Sequence, residues 1–270
     1  MKNCLINCHF GSLPNYLPFF IKSASTVECL DVFIMTNDPR LDEYNKFCDK
    51  HNFNNVKLMK YDVPDLERTV SENLNVSYKM PNVRKICDWK TAYNFLFPEI
   101  TNNYDYWGHC DLDIIMGDVD GYLEPLLGKY DVISADRRRL CGPFNLYAKG
   151  LGNIFKLHPM WVQIMLHMEY TQYDEMGLDM AIKSENSISA WYGTSGDKIM
   201  QNYGSPHLVP PIRIPATWRD GKLTIDEDGR ETMIIHMGHK AQIVNVQFNN
   251  GNFKINERGF SSEPSYLYKE

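Results

Sequence analysis

The amino-acid sequence predicts an α/β chain: a mainly parallel sheet with helices on both faces, followed by a β-rich C-terminal extension. Apolar runs of strand length alternate with helical stretches over residues 1–215, the pattern of a parallel sheet. After Pro215, short β-rich segments are punctuated by Asp228-Gly229 and Asn250-Gly251, which are hairpin signals. No Pro, Gly or Ser linker divides the two parts. Residues 1–270 therefore read as one domain, with a core over 1–215 and a β-rich piece over 216–270 closing the site.

Taken in order, Cys4 to Phe10 (CLINCHF) is an apolar run stopped by Gly-Ser-Leu-Pro, and YLPFFIKSA after it reads as a helix. Leu30 to Met35 makes a second buried strand ending at Thr36-Asn37-Asp38-Pro39, and Val56 to Tyr61 a third, with helical segments between and after them. A long helical stretch is expected from Val83 to Phe97. It precedes the aromatic strand Tyr104 to Cys110, which runs straight into Asp111-Leu112-Asp113. Tyr130 to Ala135 and Phe144 to Tyr147 read as further strands, and Ile154 to Tyr170 as mostly helical. KLTID, TMIIH, QIVNVQF and NFKIN are the strands of the extension. Ligands of such sheets bind at the carboxyl ends of the strands, so His9, Gly11 and Ser12 with Thr36 and Asp38 are expected to line a cleft.

Composition excludes several classes. With 43% apolar residues the chain can bury a sizeable core, and a net charge of −6 is the wrong sign for a nucleic-acid binder. Seven cysteines, none in a CxxC pair and none beyond Cys141, form neither a disulfide framework nor a structural zinc motif. They read as reduced thiols of a cytoplasmic protein. No run of about 18 apolar residues is present, so no transmembrane segment is expected.

The most informative segment is WGHCDLDIIMGDVD, Trp107 to Asp120. An isolated Asp-x-Asp is more often a pair of solvated turn aspartates. Here Asp111 and Asp113 follow an apolar strand, and on an extended strand end both point to one face. Like charges so close need a cation, and Mg2+ or Mn2+ fits carboxylate and phosphate oxygens. A second cationic feature is Arg84-Lys85-Ile86-Cys87-Asp88-Trp89-Lys90, a helix start rich in positive charge inside an acidic protein. It reads either as a phosphate-binding helix end or as a solvated face. Arg137-Arg138-Arg139 offers a site for an anionic acceptor or a solvated loop. Trp107, Phe144, Tyr147, Trp161 and Trp191 are aromatic candidates for stacking on sugars, or for the core.

These motifs resemble glycosyltransferases of the GT-A fold, a Rossmann-like sheet whose Asp-x-Asp holds the metal that bridges a nucleotide-sugar diphosphate. GSLPNYLPFFIKSA, RKICDWKTAY, YWGHCDLDIIMGD, YDVIS and YDEMG are similar to a little-characterised glycosyltransferase-like family of bacterial and viral surface-polysaccharide loci. The resemblance covers most of the chain to Gly177. It implies Asp111 and Asp113 as metal ligands, with Asp111 also at the donor, and Lys85, Asp88 and Lys90 as a Lys-x-x-Asp-x-Lys pattern at the diphosphate. Ile234-Ile235-His236-Met237-Gly238-His239-Lys240 resembles, each spacing one residue shorter, the His-x-x-Gly-x-x-Lys segment of glycogenin-like enzymes. That implies His236 as third metal ligand and Lys240 on the diphosphate. The imidazole favours Mn2+ over Mg2+. Asp174 and Glu175, in YDEMG, match the acidic residue that faces the anomeric carbon.

The resemblance therefore implies a metal-dependent enzyme that moves a sugar from a UDP- or GDP-linked donor to a hydroxyl of a glycan acceptor, in polysaccharide synthesis, with retention slightly favoured over inversion. Asp38 would accept a hydrogen bond from uracil or guanine. Two rivals stand beside it. A sugar nucleotidyltransferase would use the same sheet and metal, but normally carries a Gly-rich basic loop after its first strand, and HFGSLPNY has one glycine and no Lys or Arg. A non-catalytic sugar-binding protein would need neither the paired aspartates nor the cationic helix.

Overall fold

The computed structural model describes residues 1–136, 139–192, 200–202, 215–227, 229–237, 248, 250–256 and 259–262. Strands β1 (Asn3–His9), β2 (Leu30–Thr36) and β3 (Val56–Lys60) alternate with helices α1 (Leu17–Ser25), α2 (Leu41–His51) and α3 (Val63–Leu74). β1 and β2 are buried along nearly their whole length, as strands covered on both faces must be, whereas β3 at the sheet edge alternates buried and exposed residues. α3 starts where Asp62 and Asp65 cap each other's backbone N–H groups, and its Val63-Pro64 needs no amide partner there.

After β4 (Tyr106–Cys110) come β5 (Ile114–Met116), β6 (Val132–Ser134), β7 (Phe144–Ala148), β8 (Ala190–Tyr192) and β9 (Met200–Asn202). The central sheet has the order β3-β2-β1-β4-β7-β6-β8. Its pairs are parallel except for the two made by β7, which runs antiparallel to both β4 and β6. The expected α/β class with a mainly parallel sheet is the one the chain adopts. Gly108 allows β4 and β7 to close, because a Cβ there would lie 2.0 Å from the Asn145 carbonyl oxygen.

The remaining strands are β10 (Ala216–Arg219), β11 (Lys222–Ile225), β12 (Ile234–His236), β13 (Phe253–Asn256) and β14 (Gly259–Ser262). β11-β10-β13-β14 form an antiparallel sheet, and β5-β12-β9 a smaller one. The antiparallel sheet packs on α1: Phe19 stacks on Phe260 at 4.2 Å and meets Phe253 edge-on at 4.9 Å. Each such ring buried is worth about 1.5–3 kcal/mol.

Two expectations change. The helix over Val83 to Phe97 is four short turns, Val83–Lys85, Ile86–Trp89, Lys90–Ala92 and Tyr93–Leu96, alternating 3-10 and α geometry up to Ala92, which breaks before the last turn at φ −115° and ψ 15°. Between Ile154 and Tyr170 only Ile154–Lys156 and Trp161–Leu166 are helical, interrupted at Pro159, which cannot continue the ladder. Among the described residues a hairpin turn that the sequence reading did not single out is at Asp220-Gly221, where φ values of +49° and +82° suit a mirror-image turn, and it joins β10 to β11. The turn expected at Gly229 is also present: Gly229 holds φ +68°, Glu231 forms an antiparallel bridge with Thr224 of β11, and the Ile225 and Thr232 N–H groups donate to the Arg230 and Leu223 carbonyls at 2.8 and 2.9 Å, before β12 pairs with β5 and β9. Asp228 and all of QIVNVQF except Phe248 lie outside the described residues.

Candidate active site

The order β3-β2-β1-β4 means that the chain winds outward from β1 to β3, then returns to the other side of β1 as β4. A crevice opens at the carboxyl ends where the winding reverses. Asp111, Leu112 and Asp113 leave β4 there, between β4 and β5.

His236 reaches the same place through strand register. β12 runs antiparallel to β5, with His236 opposite Ile114, and the backbone N–H of Met237 donates to the Asp113 carbonyl at 2.8 Å. The carboxyl end of β12 thus lies against the amino end of β5, where Asp113 sits. His236 Nε2 is 3.3 Å from Asp113 Oδ2, and Asp111, Asp113 and His236 each offer a ligand atom within 4.8 Å of the others. Burial disfavours a charged His236 ring, but the Asp113 hydrogen bond and the fields of Asp113 and Asp111 outweigh it and raise the pKa above the ordinary value. Two carboxylates and an imidazole converging on one point could hold a divalent ion.

Lys90 joins this cluster to a second acid. Its buried ammonium lies 2.7 Å from Asp111 Oδ1 and 3.5 Å from Asp174 Oδ2, and it donates to the Gly142 carbonyl at 2.9 Å. Burial works against its charge, yet Asp111 and Asp174 hold its pKa well above the usual lysine value. The oxygens that meet this ammonium belong to the protein itself, where the sequence places it on a diphosphate.

Asp174 is almost wholly buried in a π-helical turn, Tyr173–Gly177, entered through Gln172 at φ +57°. The left-handed conformation costs a non-glycine residue about 1–2 kcal/mol, and both it and π turns gather at functional sites. Burial pushes the Asp174 carboxyl up to about 7 against the pull of Lys90, with Glu175, Asp111 and Asp88 adding to the rise. The Tyr170 hydroxyl donates to Asp174 Oδ1 at 3.2 Å. Glu175 turns toward Arg139, 3.2 Å away.

The other expected residues divide. Lys85 and Asp88 are fully buried and bonded to each other at 2.8 Å, away from solvent. At the β1 and β2 exits, Gly11 at φ +102° donates to Asn37 Oδ1 at 2.8 Å, His9 Nε2 lies 3.0 Å from the Ser12 carbonyl, and the buried Thr36 hydroxyl accepts from the Asp38 N–H at 3.2 Å. Both oxygens of Asp38 are engaged: the Arg40 guanidinium and N–H take them, together with the Leu13 N–H at 2.5 Å. The Arg40 hydrogen bond, opposed by burial, holds the Asp38 carboxyl well below the usual range. Lys240, Arg137 and Arg138 lie outside the described residues. Trp107, Phe144 and Tyr147 belong to the core, and Trp161 and Trp191 are half-buried against it.

Sequence reasoning passes over His109, Gly142 and Tyr170. His109 lies fully buried on β4, with Nε2 3.2 Å from Asn145 Nδ2, and burial together with Lys90 keeps its pKa well below the ordinary value, so the ring is neutral. Gly142 acts through its backbone, which no sequence pattern marks. Tyr170 stands four residues before Asp174, but helical spacing does not apply across the left-handed Gln172.

The chain belongs to a family of unknown function, DUF6625, whose profile matches residues 5–264. No curated protein matches it. Among solved structures it is similar to the apo form of the glycosyltransferase GlyE of Streptococcus pneumoniae TIGR4, at 13% identity and TM-score 0.48, covering 93% of this chain and 58% of that one. It is also similar to mouse xyloside xylosyltransferase 1, at 9% identity and TM-score 0.45, over 76% of this chain and 88% of that one. A third is a glycosyltransferase involved in glycosylation of the major capsid of PBCV-1, at 8% identity and TM-score 0.43, over 89% of this chain and 95% of that one. Among the described residues no helix is long and apolar enough to cross a membrane.

Proposed function

We propose that this member of DUF6625 is a metal-dependent glycosyltransferase that moves a sugar from a nucleotide-diphosphate donor to a hydroxyl of a glycan acceptor in the cytoplasm. One observation carries the reading: Asp111, Asp113 and His236 converge within 4.8 Å at the crevice where the sheet reverses its winding, although 123 positions separate the last two. The resemblance of Asp111-Leu112-Asp113 to the GT-A metal motif supports it.

In this reading Asp111, Asp113 and His236 hold Mn2+, which when bound supplies a Lewis acid for the leaving diphosphate. Lys90 keeps the first aspartate and Asp174 at a fixed separation and offsets their repulsion. Asp174 stands at the anomeric centre. As a base it takes the proton of the acceptor hydroxyl while the new C–O bond forms and the bond to phosphate breaks, its electron pair leaving on the diphosphate, and configuration inverts. As a carboxylate that stabilises the positive anomeric carbon, with phosphate oxygen taking the proton, it goes with retention, the outcome that likeness to glycogenin-like enzymes favours. Both roles need the ionised form, which a pKa of about 7 supplies from neutral pH upward.

Titration calorimetry with UDP, GDP and CMP, each with and without Mn2+, tests the assignment. The enzyme proposed here binds a nucleoside diphosphate only with the metal. Binding of none of the three, or equal binding without Mn2+, removes it.

A further inference from the structure

The segment Val83–Ala92 carries two buried lysines and a buried aspartate, and the mechanism above uses only Lys90. The Asp88 carboxylate accepts four hydrogen bonds. Its Oδ2 takes the Lys85 ammonium at 2.8 Å, the Thr171 N–H at 3.0 Å and the Thr171 hydroxyl at 3.1 Å, while Oδ1 takes the Tyr173 N–H at 2.9 Å. Lys85 gives its other protons to the carbonyls of Ile164 at 2.7 Å and Glu169 at 3.0 Å. All three protons of the ammonium are therefore in use, and both oxygens of the carboxylate are engaged. Lys85 has no proton left over for a diphosphate.

A buried ion pair loses in desolvation much of what it gains in attraction, so its value here lies in the geometry it enforces. Asp88 grips the backbone on both sides of Gln172, the residue held at φ +57° at the entry to the π turn. Two residues further along the same segment, Lys90 grips the Asp174 carboxylate. One short stretch of chain thus sets both where the turn begins and where its acid ends.

We propose that Asp88, braced by Lys85, is a positioning residue that holds the 171–173 backbone so that the Asp174 carboxylate meets the reacting centre. The inference rests on the reading of Asp174 as the acid at the anomeric carbon, and it gives Lys85 and Asp88 a task other than donor binding.

The test is Asp88→Asn, which keeps the shape and turns an amide toward groups that need an acceptor. Turnover is followed as UDP release from a panel of UDP-sugars with acceptor glycans, per folded molecule counted by Mn2+-dependent UDP binding. The expected result is a fall in turnover of about a hundredfold, the scale of a small misplacement of a catalytic group, with UDP affinity and donor KM within about threefold of wild type. Thr171→Val, which removes one hydroxyl contact and leaves the ion pair, lowers turnover several-fold, and Thr171→Ser restores it. That split decides the matter if Asp88→Asn yields no folded protein. Wild-type turnover per folded molecule in Asp88→Asn or Thr171→Val, or a loss confined to UDP affinity, overturns the inference. Asp174→Asn run alongside separates the two failures: full transfer there removes the reading of Asp174 and this inference with it, whereas loss of transfer there with normal Asp88→Asn overturns this inference alone.

Discussion

The exits of β2 and β4 lie along one edge of one sheet, and each ends in aspartate, yet they treat charge differently. At the β2 exit one aspartate, Asp38, meets one guanidinium, Arg40, and the Leu13 N–H, so the group is closed by its near neighbours. At the β4 exit Asp111, Asp113 and Asp174 gather around the single ammonium of Lys90 and the ring of His236, drawn from four separate stretches of chain. A closed pair ties a loop down. A cluster of excess negative charge drawn from distant segments is, in the proposed reading, the place for a cation.

The comparison breaks first at Asp174. Asp174→Asn is expected to lower sugar transfer by about a thousandfold or more while metal-dependent nucleotide binding stays intact, measured by calorimetry beside a transfer assay. Its stability effect has a defined sign. Burial raises the folded pKa from 3.8 to about 7, so between those values the folded chain keeps a proton that the unfolded chain has lost, and stability falls as pH rises through that window. Asp174→Asn therefore raises Tm at pH 8 and not at pH 4. An equal change at both pH values contradicts the burial of this carboxyl.

Lys90→Met comes next. It removes an ammonium that lowers the Asp174 pKa, so turnover falls about tenfold to a hundredfold and the pH of half-maximal activity moves upward, read from a pH–rate profile. An unchanged pH profile separates Lys90 from Asp174. His236→Ala has a smaller effect, about tenfold to a hundredfold on Mn2+ affinity alone, with the melting curve little changed. Because the His236 pKa is raised, Mn2+ affinity in the wild type weakens with falling pH sooner than it would for an ordinary histidine, as the ring gains the proton that the metal must replace. At the β2 exit Arg40→Ala is expected to cost about 1–3 kcal/mol of stability by stranding Asp38, with transfer per folded molecule within about twofold. A change in nucleotide preference in that variant would instead make the β2 exit part of the donor site.

Much of the α/β core was legible because its signals are local: apolar runs stopped by Gly-Ser-Leu-Pro or Asn-Asp-Pro place β1, β2 and α1 to within a residue or two. The extension was less so. Asp220-Gly221 carries the same turn signal as Asp228-Gly229 and the chain reverses at both places, but the onward pairing of β12 with β5 and β9 depends on distant strands. The site was legible where a motif is short and contiguous, as in Asp111-Leu112-Asp113. His236 could be named from sequence, but its arrival beside Asp113 depends on the antiparallel register of β12 and β5. Lys85 and Lys90 look alike in sequence, five positions apart in a cationic stretch. One is spent on carbonyls of residues 164 and 169 and the other faces two aspartates, a distinction made by tertiary contacts that no local pattern encodes.

The central claim is that the β4 exit is a metal-dependent nucleotide site, and the most direct measurement is calorimetry of UDP and GDP with Mn2+ on wild type and Asp113→Ala. The account predicts that the wild type binds one of the two nucleotides with Mn2+ and neither without it, and that Asp113→Ala, folded by thermal melt, binds neither in either condition. Metal-independent nucleotide binding by the wild type, or undiminished Mn2+-dependent binding by Asp113→Ala, would contradict it.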